Sequence, residues 1–142
     1  MPYISLEDHL PGIIGLLKYS KDTATPIREL TQILLRGPST LTEGERELLA
    51  TVVSYRNECT FCTTAHTAAA DILLGEEDTT TKVKRDINTA PVSDKMKALL
   101  TIAAQVQQSG KNVTAAYIFK KVFRALEVLY CSGQKLVSLC MI

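Results

Sequence analysis

The residues with the most chemical content in this chain are Glu47, Cys59, Cys62 and His66, spaced as E-x11-C-x2-C-x3-H. Two thiols three positions apart, with an imidazole four positions further on, suit thiol redox chemistry. The thiolate is the nucleophile, a histidine within reach takes or returns its proton, and a carboxylate orients the histidine. On one helix, steps of three and four put Cys59, Cys62 and His66 on a single face that continues through Ala69 and Leu73. That face is otherwise apolar and is expected to look inward. With Asn57 as N-cap, both cysteines fall in the first turn, where the positive end of the helix favours a thiolate.

Glu47 belongs to the preceding helix. In an antiparallel hairpin turning near residues 56 and 57, position 47 faces position 66, and the small residues Ala50, Thr51 and Ser54 let the helices approach closely. Glu47 then bonds His66, directly or through a water, and holds it in the tautomer that accepts a proton from a cysteine. This arrangement suits peroxide reduction: one thiolate attacks the peroxide oxygen and becomes a sulfenic acid, and the second thiol condenses with it to a disulfide. A separate reductant must reopen that disulfide.

The same residues admit other chemistry. C-x2-C-x3-H offers three zinc ligands with Glu47 as a fourth, although no second C-x2-C or H-x3-H stands elsewhere in the sequence. Both cysteines are also compatible with small buried core positions. Taken alone, His66 reads as a satisfied core histidine and Glu47 as a solvated carboxylate; the spacing joins them. His9 has no partner in the sequence and reads as a surface residue. Phe61 is expected to pack on the preceding helix or cover the site.

The elements that must position these groups read as all-helical. Strand alternation and hairpin dipeptides are lacking. Ile13 to Lys18, after Pro11-Gly12, is a helical turn or an extended arm. Thr25-Pro26 opens a helix with apolar face Ile27, Leu30, Ile33 and Leu34, stopped by Gly37-Pro38. Thr42 to Glu45 is a capping box for a helix running to about Arg56, with main apolar face Leu48, Leu49, Val52 and Val53. The cysteine helix spans about Glu58 to Leu74, ended by Gly75. Glu76 to Thr81 reads as loop, followed by a short helix around Lys82 to Asn88. Ser93 caps another, with Met96, Leu99, Leu100, Ala103 and Val106 inward and Gly110 as its stop. A last period starts near Thr114 and includes Ile118, Val122, Phe123, Leu126 and Leu129.

At 142 residues, with 46% hydrophobic and 22% charged residues, the expectation is one globular domain over residues 1–142. A formal net charge of +1 and no basic stripe argue against a nucleic-acid partner. No apolar run is long enough for a membrane span, and the N-terminus lacks signal-peptide character. A cytoplasmic location follows as the expectation, and there a C-x2-C is catalytic or metal-binding rather than a structural staple.

From about Leu34 to Gly75, including LLRGPSTLTEGERELLATVVSYRNECTFCTTAH, the chain resembles the alkyl hydroperoxidase D family, the peroxidase-related branch of the carboxymuconolactone decarboxylase-like superfamily. The E-x11-C-x2-C-x3-H match is complete in type and spacing. A wider likeness runs from near Gly12 to about Tyr117 and includes TAPVSDKMKALL. The resemblance implies a compact all-α bundle, homo-oligomers and thiol-dependent reduction of small, chiefly organic, hydroperoxides. It implies Cys62 as the peroxide-attacking cysteine, Cys59 as the resolving one, and His66 with Glu47 as proton relay. No metal, haem or flavin is implied, and the reductant would be a dithiol protein or a lipoyl-type carrier. Two departures stand out. Some members carry a second histidine where this chain has Phe61. After about residue 118 the tail, with ALEVLYCSGQKLVSLCMI, departs from family sequence, so truncated or altered C-terminal helices are expected, with Cys131 and Cys140 as incidental thiols. Two other classes remain: a decarboxylase or lactone-processing enzyme that does not use the dithiol, and a non-enzymatic helical module with a structural zinc or inactive site.

Overall fold

Helix boundaries follow the capping and stop signals of the chain closely enough to explain most of the architecture. The computed structural model describes residues 4–76 and 78–119. Six α-helices follow in order: α1 Ile13–Tyr19, α2 Lys21–Arg36, α3 Glu43–Arg56, α4 Thr60–Leu74, α5 Asp78–Arg85 and α6 Asp94–Gln108. A 3-10 turn at Gly110–Asn112 comes next, then helical residues 115–119 at the edge of the described segment, entered by Thr114, whose hydroxyl accepts the Tyr117 N–H. No strand occurs among the described residues, and the fold is all-α.

The capping box is complete. The Thr42 hydroxyl accepts the Glu45 N–H at 3.2 Å and the Glu45 carboxylate accepts the Thr42 N–H at 2.8 Å, so two otherwise orphaned donors are satisfied reciprocally. Helix α3 then divides its surface. Leu48 and Val52 join Val83, Ala90, Met96, Leu100 and Ala104 in the apolar core against α5 and α6. The stripe of Gly44, Glu47, Thr51 and Ser54 is also buried, and α3 packs more extensively on α4 than on any other element. A Cβ at Gly44 would lie 2.9 Å from the Leu74 side chain and 3.3 Å from the Leu73 backbone, so glycine allows the start of α3 to meet the end of α4. Gly75, left-handed at φ 70, ends α4 as expected.

Several boundaries differ from the sequence expectation. The Ile13 stretch is helical. Helix α2 begins at Lys21, with Pro26 inside it rather than opening it. Its first turn is held by the Ala24 N–H on the Ser20 carbonyl, and the Thr23 and Thr25 hydroxyls donate to Ser20 and Lys21 carbonyls. At Pro26 the chain forgoes one bond. Asn57 caps the C-terminus of α3 instead of starting α4, which begins at Thr60 with Cys59 as N-cap. The segment expected as loop supplies the first half of α5: the Thr80 hydroxyl donates to Asp71 and the Thr79 hydroxyl to Glu76, both at 2.7 Å, and both threonines are buried. The helix expected over Lys82 to Asn88 therefore lies several residues earlier, and Asp86 accepts from the Asn88 N–H in the turn that follows. In α6 Val106 is exposed and Ala104 takes the inward position; the helix ends at Gln108, with Ser109 as C-cap just before Gly110. Val122, Phe123, Leu126, Leu129, Cys131 and Cys140 lie outside the described residues.

The α2 stripe predicted from periodicity exists but is uncovered. Ile27, Leu30, Ile33 and Leu34 are 45%, 56%, 65% and 60% exposed, beside exposed Ile13, Leu16 and Tyr19 on α1. The described part of this chain supplies no cover for that side of the arm.

Replacing Thr42 by alanine should lower unfolding free energy by about 1 kcal/mol. Leu100→Ala, at a core position with 0% exposure, should cost about 2–5 kcal/mol. Urea denaturation followed by helical circular dichroism measures both; equal losses would contradict this division between cap and core.

Candidate functional site

The dithiol turn is built by the way α3 ends. Glu58 sits in the left-handed region at φ 56. Its N–H donates to the Tyr55 carbonyl at 3.1 Å, and the Cys59 N–H donates to Ser54 at 3.1 Å. These two bonds form a Schellman closure. A glutamate holds a position usually given to glycine, at a cost of about 1 kcal/mol. The closure leaves Cys59 extended, at φ −83 and ψ 94, with its sulfur over the first turn of α4. There the Cys59 Sγ accepts the Cys62 backbone N–H at 3.3 Å. A thiol thus does the work of a serine or aspartate cap.

This geometry makes the two cysteines unequal. Both are half-buried free thiols. The Cys62 thiol donating to the Cys59 sulfur, reinforced by the Cys62 backbone N–H, holds Cys59 below the ordinary thiol range despite some desolvation. The same donated bond pushes Cys62 upward, with burial and the Cys59 charge adding to it. Of the two sulfurs, Cys59 is therefore the one on which these bonds favour negative charge.

One turn along α4 from Cys62, His66 meets α3. Its Nδ1 lies 2.6 Å from Glu47 Oε2, so the predicted pairing of position 47 with position 66 across the hairpin is present and direct. Glu47 is only 2% exposed. Its other oxygen, Oε1, accepts from the Arg36 guanidinium at 2.5 Å, and Arg36 Nε also lies 3.4 Å from Glu43. Arg36 is the last residue of α2, so one carboxylate connects α2, α3 and α4. Sequence reasoning passed over Arg36. The available signal was physical: a carboxylate on the buried stripe of α3 needs a cation, and an arginine stands immediately before the Gly37-Pro38 stop.

The structure thus forms two bonded pairs, Cys59 with Cys62 and His66 with Glu47. Among the described residues no hydrogen bond links His66 to either sulfur; Cys62, the nearer in sequence, is about one helical turn away, about 6 Å of rise. Phe61, between the cysteines, lies against Gly12, where a Cβ would come within 2.5 Å of its ring. Gly12 is also left-handed at φ 56, so the close seat of the N-terminal segment on the dithiol turn requires glycine on both counts. His9 is on the surface as expected, but it has a neighbour: its Nε2 lies 3.5 Å from Glu7, which also pairs with Lys18.

Among the described residues no three His, Cys, Asp or Glu side chains converge as a metal-binding group. None of the described helices is long and apolar enough to cross a membrane. Two surface hollows, of about 390 Å³ between α3, α5 and α6 and about 510 Å³ beside the α3–α4 turn, are not lined by either thiol.

Comparison with known proteins locates this arrangement. The carboxymuconolactone decarboxylase family matches residues 22–74, a segment that contains Arg36, Glu47, both cysteines and His66. No curated protein matches. Among solved structures, the chain is similar to the alkylhydroperoxidase AhpD core of an uncharacterized peroxidase-related protein from Ralstonia eutropha, with a TM-score of 0.70 and 24% identity over 82% of this chain. It spans 59% of that protein, less than two thirds of its length. An uncharacterized peroxidase-related protein from a Silicibacter species is similar over 94% of this chain and 75% of its own, with a TM-score of 0.68 and 24% identity. The family match at residues 22–74 and the all-helical fold shared with these two structures agree with the resemblance carried by the Glu47, Cys59, Cys62 and His66 spacing.

Proposed function

We propose that this chain is a thiol-dependent peroxidase that reduces small, chiefly organic, hydroperoxides through a Cys59–Cys62 dithiol–disulfide cycle. The observation that carries the reading is the dithiol at the start of α4 with a Glu47-held imidazole one turn behind it. In the cycle, a thiolate sulfur attacks the terminal peroxide oxygen. The O–O bond breaks, the sulfur becomes a sulfenic acid, and a proton from the relay converts the departing alkoxide to alcohol. The second thiol attacks the sulfenic sulfur, water leaves, and the disulfide closes. A dithiol protein or a lipoyl-type carrier returns two electrons by exchange.

By resemblance, Cys62 is the attacking sulfur and Cys59 the resolving one. Cys62 then reaches its thiolate by passing its proton to Cys59 or to His66. A second order of events is supported by the Cys62 N–H bonded to the Cys59 sulfur, which favours negative charge there; in that order Cys59 attacks and Cys62 resolves. Cytoplasmic location accords with a dithiol cycle that needs a cellular reductant. The uncovered α2 stripe supports assembly into homo-oligomers.

Peptide mass mapping after about one equivalent of an organic hydroperoxide tests the cycle. The expected product is a Cys59–Cys62 disulfide. Cys59→Ser should strand a sulfenic acid on Cys62, and Cys62→Ser should not consume peroxide. A sulfenic acid on Cys59 in Cys62→Ser would establish the second order, and untouched thiols in folded protein would end the peroxidase reading. Alkylation against pH tests the inequality of the two thiols. Cys59 is lowered, so its alkylation should persist to lower pH than that of an ordinary thiol, while Cys62 is raised and should require higher pH. Cys62→Ala removes the donated thiol bond and should move the Cys59 profile upward; identical profiles for the two thiols would contradict this asymmetry. For assembly, Ile33→Asp should lower the mass found by light scattering, and an unchanged mass would remove α2 from the interface.

A further inference from the structure

Arg36 lies outside the four residues that the dithiol chemistry names, yet it shares their carboxylate. Glu47 is buried to 2% exposure and has two acceptor oxygens, each with one donor: Arg36 on Oε1 at 2.5 Å and His66 Nδ1 on Oε2 at 2.6 Å. A buried carboxylate must be charge-paired, and either neighbour can supply the positive charge. The two alternatives differ chemically. If His66 supplies it, both ring nitrogens carry protons and the imidazole has no lone pair with which to accept another. If Arg36 supplies it, His66 is free to remain neutral.

The guanidinium is charged at every accessible pH and has no acceptor atom. Its place is fixed from several sides. One terminal nitrogen donates to the Leu35 carbonyl at 3.0 Å and Nε lies 3.4 Å from Glu43. Arg46, on α3, donates to the Leu34 and Gly37 carbonyls and holds the end of α2 where Arg36 emerges. With Oε1 filled by a permanent cation, Oε2 remains as the acceptor for a neutral Nδ1–H. The lone pair of the ring is then on Nε2, the nitrogen not committed to Glu47.

We propose that Arg36 is a positioning residue that neutralises Glu47, so that His66 rests as the neutral Nδ1–H tautomer with Nε2 open to accept a proton. This deepens, and rests on, the reading of His66 as the proton relay of the dithiol. Arg36 never touches substrate; it sets the protonation state of the group that serves the thiols.

Side-chain nitrogen NMR of the full chain at neutral pH reads the tautomer without any peroxide. The chain has two histidines, so His9→Gln leaves His66 as the single imidazole. In that background the expected result is a protonated Nδ1 and a bare Nε2. Arg36→Lys, which keeps the charge, should give the same pattern. Arg36→Gln, which keeps hydrogen bonding without charge, should show both nitrogens protonated. Arg36→Met, apolar and of similar length, is read the same way if the glutamine variant does not fold. A merely structural tie between α2 and α3 would change stability in these variants without converting the tautomer. An imidazolium or an Nε2–H tautomer in the unsubstituted Arg36 protein would overturn the proposal. So would a neutral pattern that survives Arg36→Gln, or a loss shared by the lysine variant. The expected pattern in a protein whose thiols ignore peroxide would leave Arg36 in this role and remove the peroxidase reading alone.

Discussion

A single buried carboxylate organises this molecule. Glu47 is 2% exposed and bonded on both oxygens, to Arg36 from α2 and to His66 from α4. Removing a charge from water costs several kcal/mol unless partners replace the lost hydration, so this position accepts a glutamate only because two donors converge on it. The convergence fixes three helices relative to one another. For α2 this matters most, because its apolar stripe is exposed and it touches α3 only lightly. Its C-terminal end is located by charge-assisted bonds from Arg36 and Arg46 rather than by apolar packing.

The carboxylate can be shared only because the helices are close. Gly44, Thr51 and Ser54 form the stripe around Glu47, and the missing side chain at Gly44 gives Leu73 and Leu74 their place. The opposite side of α3 carries Leu48 and Val52 into the apolar core. One helix therefore separates two kinds of interior: a greasy one toward α5 and α6, which supplies most of the hydrophobic stabilisation, and a small-residue one toward α4, which supplies proximity. The site lies in the second, where backbones come near enough for short polar side chains to meet.

This division was largely legible in the sequence. The capping box at Thr42, the stop at Gly75, the cap at Ser93 and the facing of positions 47 and 66 depend on residue types with strong local preferences and on helical period alone. What escaped depends on atoms distant in sequence or on atypical residues in familiar roles. A thiol is not a standard N-cap, and a glutamate is not the usual left-handed residue, so local preference points to Asn57 rather than Cys59 as the cap of α4. Thr79 and Thr80 read as loop because their hydroxyl partners, Glu76 and Asp71, are visible only once the chain is folded. Arg36 was hidden for the same reason: nothing local marks an arginine at the end of α2 as the partner of a carboxylate eleven residues on.

The two halves of the site solve different electrostatic problems. At the dithiol, the Schellman closure at Glu58 delivers Cys59 to the cap position, where the N–H and thiol of Cys62 stabilise negative charge on sulfur. That stabilisation comes from Cys62 and not from the histidine. Cys62 is the group with a proton to lose, since donation to Cys59, burial and the neighbouring charge all hold it protonated. An imidazole one turn further along the same helix is useful to Cys62 only if it can accept, and it can accept only if something other than its own positive charge balances Glu47. Within the proposed cycle, the cap therefore sets the acidity of one sulfur, and the Arg36–Glu47 pair keeps a base available for the other. The division follows from helix geometry. A cap position reaches the backbone donors of the first turn, whereas a residue seven positions later meets the neighbouring helix and takes its electrostatics from there.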